Sequence, residues 1–285
     1  MKATPSSNGL TLVIGATGKT GRRVVDRLEA LAVPVRAAAR GTDPRFDWSD
    51  PQTWPAVLDG SESCFITFYP DLAFPGAVET VEAFATAAAD AGVRRLVLLS
   101  GRGEPEAQRA ELAVAGVGCE WTAVRASWFD QNFSEHFLLP SVLDGVITLP
   151  AASDIGEPFV DLDDVADVVV AALTQAGHDG QIYEVTGPRL LTFGDVAEAI
   201  SQATGRAITF ESVSPEAFTE DARRNGVPAD EIDELVHLFV DILDGHNAYL
   251  TDGIQRALGR PPRDFVDYAG AAAATGVWRQ TVSAR

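Results

Sequence analysis

Three glycines recur at three-residue spacing near the start of the chain, between a short apolar run and a stretch with helical periodicity. They belong to the segment Gly15-Ala16-Thr17-Gly18-Lys19-Thr20-Gly21, which directly follows the apolar residues 10–14. The first glycine permits a tight turn, the second lets backbone N–H groups approach a pyrophosphate, and the third lets helix and strand pack closely. The segment, with Thr17, Lys19 and Thr20 between its glycines, is therefore predicted to bind dinucleotide phosphates at a helix start. A P-loop would need a glycine where Val13 stands.

The end of the second predicted strand indicates which dinucleotide binds. Ala37-Ala38-Ala39-Arg40 occupies the place where an NAD-selective site usually carries an acidic residue that accepts from the ribose 2′-hydroxyl. A guanidinium at Arg40 can instead clamp a 2′-phosphate, so we expect NADP(H), the alternative being a solvated arginine at the strand end. Residues 19–45 contain seven basic and three acidic side chains, a net charge of +4 in a chain of net charge −19.

The glycine segment and Arg40 must be positioned by secondary structure, and the first part of the chain has the pattern of alternating strands and helices. Such alternation requires crossover connections and hence a parallel sheet. The run Leu96-Val97-Leu98-Leu99 is continuously apolar, as in a strand covered by helices on both faces. Strands are predicted at 10–14, 33–39, near Phe46, and at 64–68, 95–100, 121–125 and 182–186, with helices at 51–58, 76–91 and 163–173.

The predicted fold class is α/β: a Rossmann-type, doubly wound parallel sheet with a smaller C-terminal α+β substrate lobe. We expect residues 1–186 to form the NADP(H)-binding domain and residues 187–285 to form the lobe, with segments of 134–160 as a further contribution. Within the lobe, the stretch 230–244 carries an apolar stripe from Ile232 to Leu243 with acidic residues opposite. This stripe predicts either a solvated helix surface or a helical lid over an apolar substrate pocket.

Composition excludes several classes of partner. The 285 residues include 22 Lys+Arg and 41 Asp+Glu, and a surface this negative repels nucleic acids and anionic membranes. Cys64 and Cys119 lie in apolar segments without metal-ligand spacing, so we expect no disulfide framework, no metal and a reducing cytoplasmic location. No apolar run approaches the roughly 18 residues that a membrane span needs.

Five segments together resemble the NmrA-like atypical short-chain dehydrogenases/reductases, and the match extends over nearly the whole chain. The resemblance implies NADP(H) binding more firmly than it implies one reaction. The family includes NADPH-dependent quinone oxidoreductases, triarylmethane reductases, ketoreductases acting on aromatic polyketides, and redox-sensing regulators. The segments are Gly15 to Gly21, Phe46-Asp47-Trp48-Ser49-Asp50, Arg125 to Phe133, His178 to Glu184, and Leu258-Gly259-Arg260-Pro261-Pro262.

The resemblance also implies roles by position. Asp47 corresponds to the residue near the adenine, Thr67 and Phe68 to the ribose and phosphate region, and Ser100 and Gly101 to the nicotinamide side. The segment 126–133 corresponds to the loop that covers the nicotinamide and walls the substrate pocket, with core packing as the alternative for its aromatic rings. Its candidate substrate-binding residues are Ser127, Trp128, Phe129, Asn132 and Phe133.

The supply of a proton is the open question for catalysis. Ordinary short-chain dehydrogenases use a Tyr acid with a Lys four residues later, but Lys2 and Lys19 are the chain's only lysines, so that pair is absent. The segment 100–109 also lacks the His and Lys that many NmrA-like reductases keep there. Ser100 is the candidate catalytic residue, either hydrogen-bonding a developing oxyanion or merely capping the strand end. Water or a substrate hydroxyl is then the expected proton donor.

The prediction that follows is an NADPH-dependent reductase acting on a ketone or quinone carbonyl of an aromatic or polyketide-like small molecule. The alternative is a non-catalytic NADP(H)-sensing regulator that binds a protein partner. A sugar epimerase or dehydratase is disfavoured because related enzymes use the missing Tyr and Lys. The sequence leaves the oligomeric state open.

Overall fold

The computed structural model describes residues 9–135, 137–224, 226–227 and 229–279, which form two compact units. Of these residues, the first unit contains 9–127, 162–186 and 251–261. The second unit contains those within 128–161, 187–250 and 262–279.

The strands of the described residues are β1 (Leu10–Ile14), β2 (Val35–Ala38), β3 (Ser61–Ile66), β4 (Arg95–Gly101), β5 (Glu120–Ala126), β6 (Val146–Leu149), β7 (Gln181–Val185) and β8 (Thr209–Ser212). The α-helices of the described residues are α1 (Lys19–Ala30), α2 (Trp54–Leu58), α3 (Ala77–Asp90), α4 (Pro105–Gly116), α5 (Asn132–Glu135), α6 (Leu139–Asp144), α7 (Leu162–Thr174), α8 (Phe193–Thr204), α9 (Pro215–Arg224), α10 (Ala229–His237), α11 (Gly253–Leu258) and α12 (Phe265–Thr275). A 3₁₀ turn at Pro51–Thr53 precedes α2, and a π-helical turn at Leu238–Ile242 follows α10.

A parallel six-stranded sheet in the order β2-β1-β3-β4-β5-β7 forms the centre of the first unit, so the Rossmann-type α/β prediction is confirmed. Leu96, Val97 and Leu98 of β4 are fully buried, because α3 packs with α4 and α1 with α7 on the sheet's faces. Parallel strands end at the same edge, so the residues following β1, β3 and β4 lie together there.

The predicted strand near Phe46 is wrong. Residues 46–50 form a loop, and the Phe46 side chain is buried because its ring packs edge-on against Trp48 and Phe84, at centroid distances of 4.9 and 5.5 Å. An apolar residue that fills an aromatic cluster has the same sequence signal as one residue of a short strand. The strand predicted at 64–68 lies earlier, as β3.

The second unit has its own core and a two-stranded parallel sheet of β6 and β8. The start of α8 is a capping box: Thr192 Oγ1 accepts from the Asp195 N–H, and the Asp195 carboxylate accepts from the Thr192 N–H. Large buried rings fill this core, namely Trp128, Phe133, Phe159, Phe193, Phe239, Phe265 and Trp278.

The apolar stripe from Ile232 to Leu243 lies on α10 and the π-helical turn. Ile232, Phe239 and Leu243 are buried, and the last two belong to the core of their own unit, whereas Val240 is exposed. Much of the stripe therefore serves packing within the second unit, and the lid stays a prediction.

One division between the two units falls after residue 186, and two segments are assigned differently from the predicted ranges 1–186 and 187–285. Residues 128–161 belong to the second unit and residues 251–261 to the first. The latter contain α11, whose first residue, Gly253, packs on the backbone of β7. A contact of this kind leaves no periodic signal in the sequence.

Both cysteines are free thiols, and burial raises the pKa of Cys119. Over the described parts of the chain, no group of three or more His, Cys, Asp or Glu side chains is placed to hold a metal ion. Within the same ranges, no helix combines the length and apolar character that crossing a bilayer would require.

Replacing Gly253 with alanine tests the packing of α11. The added methyl group would lie 2.0 Å from the Glu184 carbonyl oxygen, so we expect Gly253→Ala to lower the free energy of unfolding by about 1–3 kcal/mol. The control is Gly270→Ala inside α12, where the new methyl group would meet no described atom within 4 Å apart from its chain neighbours and its own helix backbone. We expect that change to stabilise by about 0.5–1 kcal/mol, because alanine loses less entropy on folding. Urea denaturation of both variants measures the contrast, and equal effects would contradict it.

Candidate functional site

A glycine cradle connects β1 to α1. Gly15 has φ +68°, in the left-handed region that favours glycine, and its carbonyl oxygen accepts from the Gly18 N–H at 2.9 Å. A side-chain Cβ at residue 21 would lie 2.2 Å from the same carbonyl oxygen. Glycine is therefore required at residues 15 and 21. It allows the turn to close and the first turn of α1 to pack on the Gly15 carbonyl.

The start of α1 supplies the groups that bind phosphate. Gly18 is the N-cap residue, and it has no side chain with which to cap the backbone N–H groups of the helix start. Thr17 and Gly18 are exposed, Lys19 is half-buried, and Thr20 is buried beneath the turn. Backbone N–H groups at an uncapped helix start, together with a cradle that any Cβ would fill, fit a dinucleotide pyrophosphate.

The loop after β3 packs directly on this cradle. A Cβ on Gly15 would lie 2.5 Å from Thr67 Cγ2, so Thr67 covers the turn. Trp48 Nε1 donates to the Thr67 carbonyl at 3.2 Å, and the Trp48 ring packs on Phe68 at 4.9 Å. The structure thus brings Thr67 and Phe68 beside the glycine segment.

Asp47 is held by its own loop. Its carboxylate accepts from the backbone N–H and the hydroxyl of Ser49, at 3.0 and 2.7 Å, and pairs with Arg45 at 2.6 Å. The Ser49 hydrogen bonds lower the pKa of the Asp47 carboxyl. Its predicted place near an adenine stays a prediction.

Arg40 is exposed, lies directly after Ala39 beyond the end of β2, and contacts the aromatic ring of Tyr69. Its guanidinium lies 5.2 Å from the centroid of the Tyr69 ring, and Tyr69 is itself 65% exposed. Thr42 Oγ1 accepts from the Ala39 N–H at 2.8 Å and so fixes the turn that follows the strand. Tyr69 was missed in the sequence, although its position just after β3 was an available signal.

Ser100 is engaged in a buried ionic network. Its hydroxyl donates to Glu111 Oε1 at 2.5 Å, and Arg125 binds both oxygens of the same carboxylate at 2.9 and 2.5 Å. Arg125 also pairs with Glu184 at 3.2 Å, so the network links β4, α4, β5 and β7. The Ser100 hydroxyl is thus engaged by Glu111, and its predicted bond to a substrate oxyanion stays a prediction.

Gly101, the last residue of β4, lies under a carboxyl group. A Cβ on Gly101 would lie 2.4 Å from Cδ and both carboxyl oxygens of Glu104. Glu104 was not singled out from the sequence, because a lone acidic residue before a proline has the pattern of an ordinary helix start.

The five predicted substrate residues differ in exposure. Ser127 is buried, and its hydroxyl donates to the Val185 carbonyl at 3.2 Å. Phe133 is fully buried, packs on Phe159 at 5.8 Å, and accepts a hydrogen bond from Trp278 Nε1 at its carbonyl. Phe133 is therefore a core residue, which matches the core-packing alternative for this ring.

The remaining substrate candidates lie in the second unit. Trp128 is 8% exposed and packs on Phe239 at 5.2 Å, which matches the core-packing alternative for this ring. Phe129 and Asn132 are half-buried, and their predicted contact with substrate stays a prediction.

Comparison with known proteins identifies relatives that cover more than nine-tenths of the chain. The chain is 30% identical over 290 residues to the NAD(P)H azoreductase of Xenophilus azovorans, covering 93% of this chain and 98% of the relative. It is 32% identical over 285 residues to the (4-alkanoyl-5-oxo-2,5-dihydrofuran-3-yl)methyl phosphate reductase of Streptomyces griseus, covering 91% and 96%. No family model matches the sequence.

A solved structure shares the fold. The triphenylmethane reductase of Citrobacter sp., crystallised with NADP(H), superposes with a TM-score of 0.77 at 19% identity, covering 93% of this chain and 99% of that one.

The role of the ionic network in stability is testable by removing Glu111. Its carboxylate is 3% exposed and Arg125 is 16% exposed, so Glu111→Ala would leave a buried cation with only the Glu184 contact. We expect a loss of about 3 kcal/mol in the free energy of unfolding.

The exposed pair of Arg94 and Glu62 is the control. Arg94→Ala should cost less than about 1 kcal/mol, because solvent screens that pair. Urea denaturation compares the variants, and a similar small loss in both would show that the Glu111 network contributes little.

Proposed function

This chain belongs to the NmrA-like atypical short-chain dehydrogenases/reductases and is an NADP(H)-dependent oxidoreductase, and we propose that it reduces a ketone or quinone carbonyl of an aromatic or polyketide-like molecule. The observation that carries the proposal is the glycine cradle closed on the Gly15 carbonyl, with Arg40 at the same edge of the sheet. Two full-length relatives that are reductases support it.

Different residues of the first unit bind different parts of the cofactor. Backbone N–H groups of the segment 15–21 hold the pyrophosphate, because they lie at an uncapped helix start. Arg40 clamps the 2′-phosphate, and Thr67 and Phe68 line the ribose side of the cradle. Gly101 lies at the nicotinamide side, where the carboxyl group of Glu104 occupies the space that a side chain would take.

When bound, the cofactor supplies a hydride to the electrophilic carbon of the substrate. The chain's own residues bind and orient the two molecules, and good positioning supplies much of the rate. The network of Ser100, Glu111 and Arg125 contributes by fixing the ends of β4 and β5, where this positioning occurs.

The residue pairs that usually donate a proton are missing from this sequence, and their absence indicates the substrate class. Neither a Tyr-Lys pair nor a His-Lys pair is available after β4, so substrates whose developing charge delocalises are favoured. The relatives' names describe reduction of an azo compound and of an oxo-dihydrofuran, both conjugated acceptors. A role as a regulator without catalysis is less supported, because these relatives are reductases.

Steady-state turnover tests the proposed activity. We expect NADPH oxidation, followed by its absorbance, to be accelerated by quinones and polycyclic aromatic ketones, and less by aliphatic ketones that lack conjugation. Saturable NADPH binding without turnover on any acceptor would instead favour the regulator.

Arg40→Ala tests the cofactor assignment. Loss of a charge-assisted phosphate contact should weaken NADPH binding roughly 10- to 100-fold while leaving NADH binding almost unchanged. Fluorescence titration with both cofactors measures the two dissociation constants. Arg94→Gln, with the same change of charge at the opposite end of the sheet, is the control. Equal losses for NADPH and NADH would contradict the clamp.

A further inference from the structure

Two carboxyl groups from neighbouring loops meet at the carboxyl edge of the parallel sheet. Asp71 lies in the loop after β3, and Glu104 lies in the loop after β4. Their carboxyl groups lie within hydrogen-bonding reach of each other. A hydrogen bond between two carboxyl groups requires a proton on one of them, because two carboxylates offer only acceptors.

Glu104 is placed unusually for a residue at a helix start. It occupies the N-cap position of α4, yet its side chain caps no backbone N–H of that helix. The side chain instead lies over Gly101, where any Cβ would overlap its carboxyl atoms at 2.4 Å. The absence of a side chain at Gly101 is therefore what allows the carboxyl group to rest on the end of β4.

The two groups differ in their access to water. Glu104 is only 8% exposed, whereas Asp71 is an exposed residue whose carboxylate accepts from the Ala73 N–H at 2.9 Å. Glu104 can therefore retain a proton away from solvent, while Asp71 exchanges protons with the solvent.

The charges around Glu104 favour its protonated form. Burial raises the pKa of Glu104 to about 8, and the neighbouring carboxylates of Asp71 and Glu106 act in the same direction. The start of α4 favours the ionised form, but these effects outweigh it. Because the two groups are in contact, the pair titrates as one unit with two apparent pKa values. Below about pH 8 the pair holds a proton, and it loses that proton as the pH rises further.

We propose that the Asp71–Glu104 carboxyl pair is the proton donor of the reduction, with Glu104 as the acid and Asp71 as its route to solvent. The inference rests on the proposed reductase function. It replaces the earlier expectation that water or a substrate hydroxyl donates the proton, and it accounts for a site without Tyr-Lys or His-Lys pairs.

The step balances in atoms and charge. The carbonyl carbon gains a hydride as NADPH is oxidised to NADP⁺, and the electron pair of the C=O π bond moves to the oxygen. That oxygen forms an O–H bond with the proton of Glu104, whose own O–H bond breaks to leave a carboxylate. Water returns a proton to the pair through the exposed Asp71.

Glu104→Gln and Asp71→Asn separate this role from a structural one. Glutamine keeps the size and the contact with Asp71 but has no acidic proton, so we expect kcat to fall about 100-fold or more with NADPH affinity unchanged. In Asp71→Asn the like charge is replaced by a hydrogen-bond donor, so the pKa of Glu104 falls. The decline of kcat with rising pH should then begin at a lower pH than in the wild type. Glu82→Gln, an exposed position on α3, is the control and should match the wild type.

Infrared difference spectroscopy gives a readout that does not depend on turnover. Without cofactor or substrate, the wild type should lose a protonated-carboxyl band as the pH is raised through about 8, and Glu104→Gln should lack this band. Absence of the band in the wild type, or wild-type kcat and pH profile in Glu104→Gln, would overturn the proposal. A wild type that binds NADPH and shows the band but reduces no acceptor would refute the reductase function instead, and with it the role of the pair.

Discussion

The close approach of the start of α1 to the turn after β1 is the constraint on which the rest of the site depends. A side-chain atom at residue 21 would lie 2.2 Å from the Gly15 carbonyl oxygen, so only glycine lets the helix begin there. This approach directs the uncapped helix start at the carboxyl edge of the sheet, and the parallel register places the ends of β3 and β4 at that same edge.

Opposite charges are then arranged along one edge of an otherwise acidic protein. Arg40 supplies a cation beyond the end of β2, where it lies on the exposed ring of Tyr69. Farther along, after β3 and β4, Asp71 and Glu104 supply carboxyl groups in contact with each other. The first arrangement suits a phosphate, and the second suits retention of a proton at neutral pH. A protein of net charge −19 therefore has a local cationic site at Arg40 and a separate carboxyl pair along the same edge of the sheet.

Features set by local backbone requirements were predictable from the sequence, and features set by tertiary packing were not. The glycine spacing and the apolar run of β4 each follow from neighbouring residues alone. Phe46 was misassigned because its burial depends on Trp48 and Phe84. The direction of the Ser100 hydroxyl depends on Glu111, one helix later, and the contact between Asp71 and Glu104 depends on the pairing of β3 with β4. Such contacts join distant residues and leave no periodic pattern.

Equilibrium titration of the wild-type protein with NADPH and with NADH is the most direct test of the central claim that the glycine cradle and Arg40 together bind NADP(H). Saturable binding of both, with NADPH at least roughly 10-fold tighter, is the result expected from a shared pyrophosphate site with one added charge-assisted contact. Equal affinity for the two cofactors, or binding of neither, would contradict the account.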